Sequence, residues 1–384
     1  MKLIIAVALA GLVILIVNTV FAYLWDRNLS VAIDFDRDML YEGEENTLRE
    51  VITNAKYLPL PILQVKFSIT RTFIFEREEN TSVTDLYYRN EFYTVMPFQK
   101  ITRAYPFRCT HRGLFRMNKM DLICRSLFMG EKMIEPIEHE ASVCVLPSKI
   151  VPRQVPTNVT NLLGEIEKNL HINEDPFTFA GIRDYQPYDN MHSINWKATA
   201  RMGNLLVNTY NTTFSKKVVL LLNLETNSML NVPELQEWAI RIAAHLASFY
   251  IMHQIPVAMY TNGVDEVDKV APEIDAGADL SHIRTIEIAL ARLDTATRPV
   301  AFTKLMEQKV VTSNEPVEYL IISNSRRKDI LDAYRMHKTT GHSMHYIIPE
   351  FKSMGLEEEF YGGEFTPWII TDEDETFSNN YGHH

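Results

Sequence analysis

The chain holds only three cysteines in 384 residues: Cys109, Cys124 and Cys144. An odd number excludes a fully paired disulfide framework, and none lies in a CxxC or Cys/His spacing that would hold zinc. Each stands in apolar or strand-like sequence, where a thiol behaves as a small hydrophobe. Buried free thiols are therefore expected, with a mild leaning toward a reducing compartment. Basic charge is also short: 38 Lys and Arg face 49 Asp and Glu, for a net charge of −11. That excludes a general nucleic-acid binder, which needs a basic footprint. The acidic surplus suits solubility, or a docking face for a basic partner. No P-loop, HExxH or G-x-S-x-G elbow occurs. No nucleophile stands beside a base, so neither an enzyme nor a small-molecule substrate is expected.

One long apolar run is present. Leu3 to Leu24 is nearly free of polar residues, with Asn18 and Thr19 the exceptions. About 20 such residues match the hydrocarbon thickness of a bilayer. The rival is a cleaved signal peptide, whose apolar core is shorter and ends in small residues. Here the run ends in Phe21, Tyr23 and Trp25, aromatics that suit a membrane interface. A single retained anchor in the cell membrane is expected over residues 1–27. Lys2 on one side and Arg27 and Arg37 on the other nearly balance, so the positive-inside rule assigns no side.

Residues 28–150 read as β. Leu29 to Phe35, Leu48 to Asn54 and Leu63 to Ile69 alternate apolar and polar, the period of a half-buried strand. Gly43 marks a turn, and the prolines at 59 and 61 break any helix. Further strands fit 91–95, 101–109, 113–122 and 142–146. Short strands with frequent turns predict an immunoglobulin-like β-sandwich. His111, Arg112 and Gly113 read as a turn rather than a site.

Residues 151–212 form a connector, with a short helix expected over 161–168. Its densest part is Gly181 to Arg201, where Arg183, Tyr185, Asp189, Trp196 and Arg201 can recognise one another. Asp189 or Asn190 can cap a helix running through Ile194 and Ala198. Arg183 and Arg201 can make bidentate bonds to a carboxylate such as Asp189, while Trp196 offers a large apolar face. Two readings stay open: a buried polar network that fixes the geometry between domains, or a partner-docking surface.

This stretch resembles the signature of the bacterial domain of unknown function 58 family (DUF 58), roughly G-x-R-x-Y-x-x-G-D-x-x-R-x-I-x-W-x-x-[ST]-A-R. It agrees at Gly181, Arg183, Tyr185, Asp189, Ile194, Trp196, Thr199, Ala200 and Arg201. It departs at Tyr188, where Gly is usual, and at His192, where Arg is usual. Leu205 to Tyr210, the apolar front, the Tyr41 to Glu44 turn and Asn54 with the prolines after it are also similar to the family. The resemblance implies an anchor, a β-rich domain and a domain similar to the von Willebrand factor type A fold. It also implies association with MoxR-type AAA+ ATPases in an assembly role.

From 213 to 352 strands alternate with helices. Val218 to Asn223 is a continuous apolar run, as in a central parallel strand. Pro233 opens a helix carrying Leu235, Trp238, Ile242, Leu246 and Phe249 at helical spacing. Strands at 256–260, 319–323 and 345–348 and helices at 282–293 and 326–338 complete a doubly wound α/β pattern, with Gly341 as a helix cap. His245 and His253 read as core or solvated histidines. Type A domains hold a divalent metal through D-x-S-x-S after the first strand. Here Leu224 or, one register earlier, the neutral Asn223 replaces the acid, and Ser323 to Ser325 supplies none. Hard cations need carboxylates, so the expected cofactor is none. A lesser reading lets Glu225, Thr226 and Ser228 bind Mg²⁺.

Residues 353–384 form an acidic tail whose 365–370 segment can pack back or bind a partner. The resulting expectation is a non-enzymatic, membrane-anchored scaffold working with a MoxR-type ATPase, its globular part cytoplasmic. The alternative is an outward-facing, metal-dependent ligand-binding or adhesion module.

Overall fold

The computed structural model describes residues 2–70, 72–75, 81–83, 86–125, 132–171, 179–186, 191, 194–210, 217–225, 232–310, 317–354 and 363–371. It opens with helix α1 (Lys2–Leu24). Leu3–Leu24 is long and apolar enough to cross a membrane, and none of its best window is buried in the protein. At 1.5 Å per residue its 22 residues span about 33 Å. The last turn differs from the rest. Phe21 is buried, as is Trp25 just beyond the helix, and both join the core of the β domain.

The chain divides into two compact units. The first runs to Ser148 and takes in Leu290–Arg292. Its strands are β1 (Leu29–Phe35), β2 (Met39–Tyr41), β3 (Glu45–Asn54), β4 (Leu60–Thr70), β5 (Phe73–Phe75), β6 (Thr81–Val83), β7 (Leu86–Val95), β8 (Lys100–Cys109), β9 (Gly113–Arg125) and β10 (Lys132–Leu146). A four-stranded sheet, β1-β3-β8-β5, faces a six-stranded sheet, β2-β10-β9-β4-β7-β6. One apolar cluster joins them: Ile33, Leu48, Ile52 and Phe107 from the first meet Leu63, Val65, Val95 and Val143 from the second. The period-two pattern produces this sandwich, because alternate side chains fall on the same face. Pro61 sits inside β4 where the register against β7 shifts between Leu60 and Leu63, the kind of irregularity that tolerates a missing donor. Gly43 takes φ 88°, as its turn requires. All three cysteines are buried and free.

The second unit spans Lys149–Ala289 and Leu293–Thr376. Helix α2 (Thr157–His171) leads to the hairpin β11 (Phe179–Asp184) and β12 (Leu206–Tyr210), with helix α3 (Trp196–Met202) between its strands. The connector and the α/β sheet thus share one compact unit. Then follow β13 (Lys217–Asn223), α4 (Pro233–Met252), β14 (Val257–Thr261), β15 (Val264–Asp265), β16 (Glu273–Gly277), α5 (Leu280–Ala291), β17 (Leu293–Asp294), α6 (Phe302–Lys309), β18 (Val317–Ser323), α7 (Lys328–Thr339), β19 (Ser343–Phe351) and β20 (Thr366–Ile370). The main sheet runs β16-β14-β13-β18-β19-β20. Its pairings are parallel except that of β16 with β14. Val219, Leu221 and Ile321 pack against Phe302, Leu305 and Met306 of α6 and Ile330 and Tyr334 of α7. The alternate row, Val218, Leu220 and Leu222, is equally buried, which gives β13 its unbroken apolar run. The tail segment packs back: β20 adds a sixth strand, and Trp368 lies edge-on to His245 of α4.

Candidate functional site

Two places in the second unit concentrate polar and signature residues. The first is the carboxyl end of the sheet, where open α/β sheets usually bind ligands. Here Asn223 and Ser323 end β13 and β18, Asn262 follows directly after β14, and the three form one buried network. Asn223 Nδ2 donates to Ser323 Oγ at 2.8 Å. Asn262 Nδ2 donates to Asn223 Oδ1 at 2.9 Å and to the Val300 carbonyl at 3.0 Å. Asn262 Oδ1 and Asn223 Oδ1 accept the backbone N–H groups of Leu224 and Glu225, each at 2.9 Å. Ser323 Oγ accepts from Ser325 N at 3.0 Å, and the buried Tyr346 hydroxyl donates to the Ser325 carbonyl at 2.8 Å. Burial pushes the Tyr346 phenol up, so it stays protonated and serves as a donor. Ser325 Oγ and Asn324 Oδ1 are the buried atoms of this end with no hydrogen-bond partner.

Glu225 is the one carboxylate beside this network that the sequence singles out. Its Oε1 accepts from Phe302 N at the first turn of α6, 3.3 Å away, and its Oε2 faces Arg327 at 3.4 Å. Both of its oxygens are thus engaged by N–H donors of the chain. Arg327 also pairs with Asp329 at 2.5 Å. A hard cation would need to win these oxygens from N–H donors. Thr226 and Ser228 lie outside the described residues. Among the described residues no group of three or more His, Cys, Asp or Glu could hold a metal ion.

The second place is the signature hairpin. Its geometry corrects the expected cap. Asn195, not Asp189 or Asn190, caps the helix: its Oδ1 accepts from Ala198 N at 2.9 Å, and α3 starts at Trp196. Ile194 lies in an isolated bridge to Val207 instead of inside the helix. Asn195 Nδ2 also reaches Asn208 Oδ1 at 2.7 Å, and Thr199 Oγ1 accepts from Leu206 N at 3.0 Å. Gly203 closes α3 at φ 79°. These contacts explain why Thr199 and the small residues are where they are. Asp189, Tyr188 and His192 lie outside the described residues, so the expected Arg–Asp pairing falls there too.

The described signature side chains do not form a buried network. Trp196 is 64% exposed, and Met202, at the other end of α3, is 75% exposed. Arg183 and Arg201 are exposed and Tyr185 is half-buried, while Gly181 sits in β11 beside its register shift. Arg183 Nη1 donates to the neighbouring Asp184 carbonyl at 3.1 Å. A seven-residue helix has two sides, and here Ala198 and Thr199 face the hairpin while Trp196 turns outward. Ile182, Asn195, Lys197, Ala198, Arg201, Met202 and Leu206 line a shallow cavity of about 430 Å³. Apolar side chains (Ile182, Met202, Leu206) and cationic ones (Lys197, Arg201) thus share this surface.

Sequence reasoning missed Asn262 and Arg327. A neutral amide at a strand end has no spacing signal, though Thr261-Asn262-Gly263 after an apolar strand repeats the pattern of Ser323 to Ser325. In the first unit it missed a buried cluster. Glu50 accepts from the hydroxyls of Tyr93 and Tyr105, the latter at 2.9 Å, and Arg103 pairs with Glu91 at 3.0 Å. Burial, opposed by those hydroxyl bonds, raises the Glu50 carboxyl above its ordinary range.

Together these features define a multidomain protein: an apolar N-terminal helix, a β-sandwich, and a mainly parallel sheet carrying a signature hairpin. Residues 181–301 match the model of the family described as "Protein of unknown function DUF58", which supports the assignment drawn from the signature. No curated protein matches the chain. Among solved structures, the CARDB domain of a Pyrococcus furiosus protein aligns at 10% identity over 29% of this chain and 93% of its own, with TM-score 0.19. A non-cellulosomal cohesin from Archaeoglobus fulgidus aligns at 9% over 30% and 91%, with TM-score 0.22. A PapD-like domain of human CEP192 aligns at 11% over 32% and 87%, with TM-score 0.21. At such scores the fold is read from the strands themselves.

Proposed function

We propose that this chain is a non-enzymatic, membrane-anchored scaffold that presents the signature face of α3 to a protein partner. The observation that carries this is the exposure of Trp196 and Met202 beside Arg201 and Lys197. Trp and Arg dominate the energetic centres of protein interfaces, and contiguous exposed apolar surface rimmed by charge marks such sites. The α/β sheet is read as a type A-like domain working without a metal. The engaged oxygens of Asn223 and Glu225 support that reading.

The anchor is retained, not cleaved. Phe21 lies in the sandwich core, so removal of α1 would take a core side chain with it. On this reading the partner is a MoxR-type AAA+ ATPase, as the resemblance to the DUF 58 family implies, and the second unit must then face the ATP-containing side. The test is co-purification from native membranes. The full chain should retain the ATPase, a Trp196→Ala/Arg201→Glu chain should lose most of it, and external protease on intact cells should leave residues 200–350 uncut. Equal retention by both chains, or digestion from outside, would contradict the reading.

A further inference from the structure

Helix α1 emerges at one end of the sandwich. Two loops meet there, 55–59 after β3 and 96–99 before β8. Asn54, fully buried, ties them together: its Nδ2 donates to the carbonyls of Leu58 and Met96, each at 3.0 Å. Lys56 ties the first loop to the helix, with Nζ donating to the carbonyls of Trp25 at 2.7 Å and Arg27 at 2.8 Å. Ala55 N also bonds the Asn28 carbonyl at 2.9 Å. Helix end and loops are thus one hydrogen-bonded piece.

This piece points apolar groups outward. Tyr57 is 86% exposed and Phe98 59% exposed, and their rings meet edge to face at 4.7 Å. Met96 beside them is also exposed. Phe98 holds φ at 52°, a left-handed conformation that non-glycine residues rarely adopt. In that conformation Phe98 remains mostly exposed. Exposed cations stand at the same end: Arg27, Lys100, Arg125 and Lys132, with Asp26 next to Arg27.

We propose that this face, centred on Tyr57 and Phe98, is a second membrane contact that sits in the headgroup layer of an anionic bilayer alongside the spanning helix. The proposal rests on the retained-anchor reading. A helix crossing the bilayer must deliver this end of the sandwich to the interface, because within four residues of Leu24 the chain is tied to the first loop, which Asn54 joins to the second. Aromatic rings partition to the interface, and cations near an anionic leaflet add attraction that salt weakens. The contact would hold the β domain upright on its span instead of letting it pivot.

The test uses the full chain in vesicles of phosphatidylcholine with phosphatidylglycerol. A fluorophore is attached to Phe98→Cys, to Tyr57→Cys, and to Asp38→Cys as a control in the β1–β2 turn at the opposite end. The native thiols do not compete, because all three are buried and burial pushes Cys109 up to about 12 and Cys124 up to about 11. A lipid carrying a nitroxide at its headgroup should quench positions 98 and 57 at least twofold more than position 38. High salt or omission of phosphatidylglycerol should narrow the difference. If carbonate washing strips the chain from the vesicles, the anchor reading fails and takes this proposal with it. If the chain stays inserted and 98 and 57 are quenched no more than 38, the contact alone is overturned. Shielding of position 98 that persists in detergent and grows with protein concentration would instead assign the face to a second copy.

Discussion

The carboxyl end of the α/β sheet and the outer face of α3 are the two places in the second unit where function was to be sought, and they are built in opposite ways. At the sheet end, amides and hydroxyls are buried and turned on one another, from Asn223 through Asn262 to Ser323. At α3, a tryptophan and a methionine are displayed with cations around them. Buried polar groups bonded to one another contribute stability and uniqueness of fold. An exposed aromatic with no intramolecular reward has its use in another molecule. Position in the fold alone would have chosen the sheet end; the physical state of the groups chooses the hairpin.

The sharpest way to break this contrast is to remove Asn223. Asn223→Ala leaves Asn262 Nδ2, Ser323 Oγ and the Glu225 N–H short of a partner. The Glu225 N–H is orphaned outright and the other two each lose one of two bonds; at roughly 1–3 kcal/mol for an orphaned group and about 1 for each further bond, the loss should be about 3 kcal/mol, a fall of roughly 10 °C in the melting of this unit. Thermal unfolding of the two proteins checks it. Trp196→Ala should do the reverse: melting changes little, about 0.5 kcal/mol or less, as for surface positions. Partner affinity, read by titration, should fall tenfold or more.

Glu50 is an intermediate case, a buried carboxyl held by two tyrosines in the other unit. Because burial raises its folded pKa, its contribution to stability is full below the ordinary carboxyl value of 4.5 and is lost as pH rises through the folded value. Glu50→Gln cannot ionise, so its stability should decline less from pH 4.5 to 7 than that of the parent. Denaturant midpoints across that window measure the difference. The smallest expected effect is none. Millimolar Mg²⁺ should leave the melting temperature unchanged, whereas a specific site would raise it by mass action.

Much of the fold was legible in the sequence, for identifiable reasons. Leu29 to Phe35 and Leu48 to Asn54 alternate because one face is core, and Val218 to Asn223 is continuously apolar because both of its faces are covered. Short β2, β5 and β6 lacked enough residues to show a period, and β20 hid in an acidic tail. The candidate site was half legible. Spacing located the signature, but nothing local to Trp196 says which way its ring turns. That depends on Asn195 capping α3 and on Ile194 bridging to Val207 on another strand. A cap at Asp189 or Asn190 was equally consistent with the residue types, so the helix start was misplaced.

The most direct test is oxidative footprinting of Trp196 in native membranes and again in the purified chain. A docking face predicts a ring shielded in membranes and reactive once the chain is purified. A ring that reacts equally in both, or is already shielded in the purified chain, would contradict it.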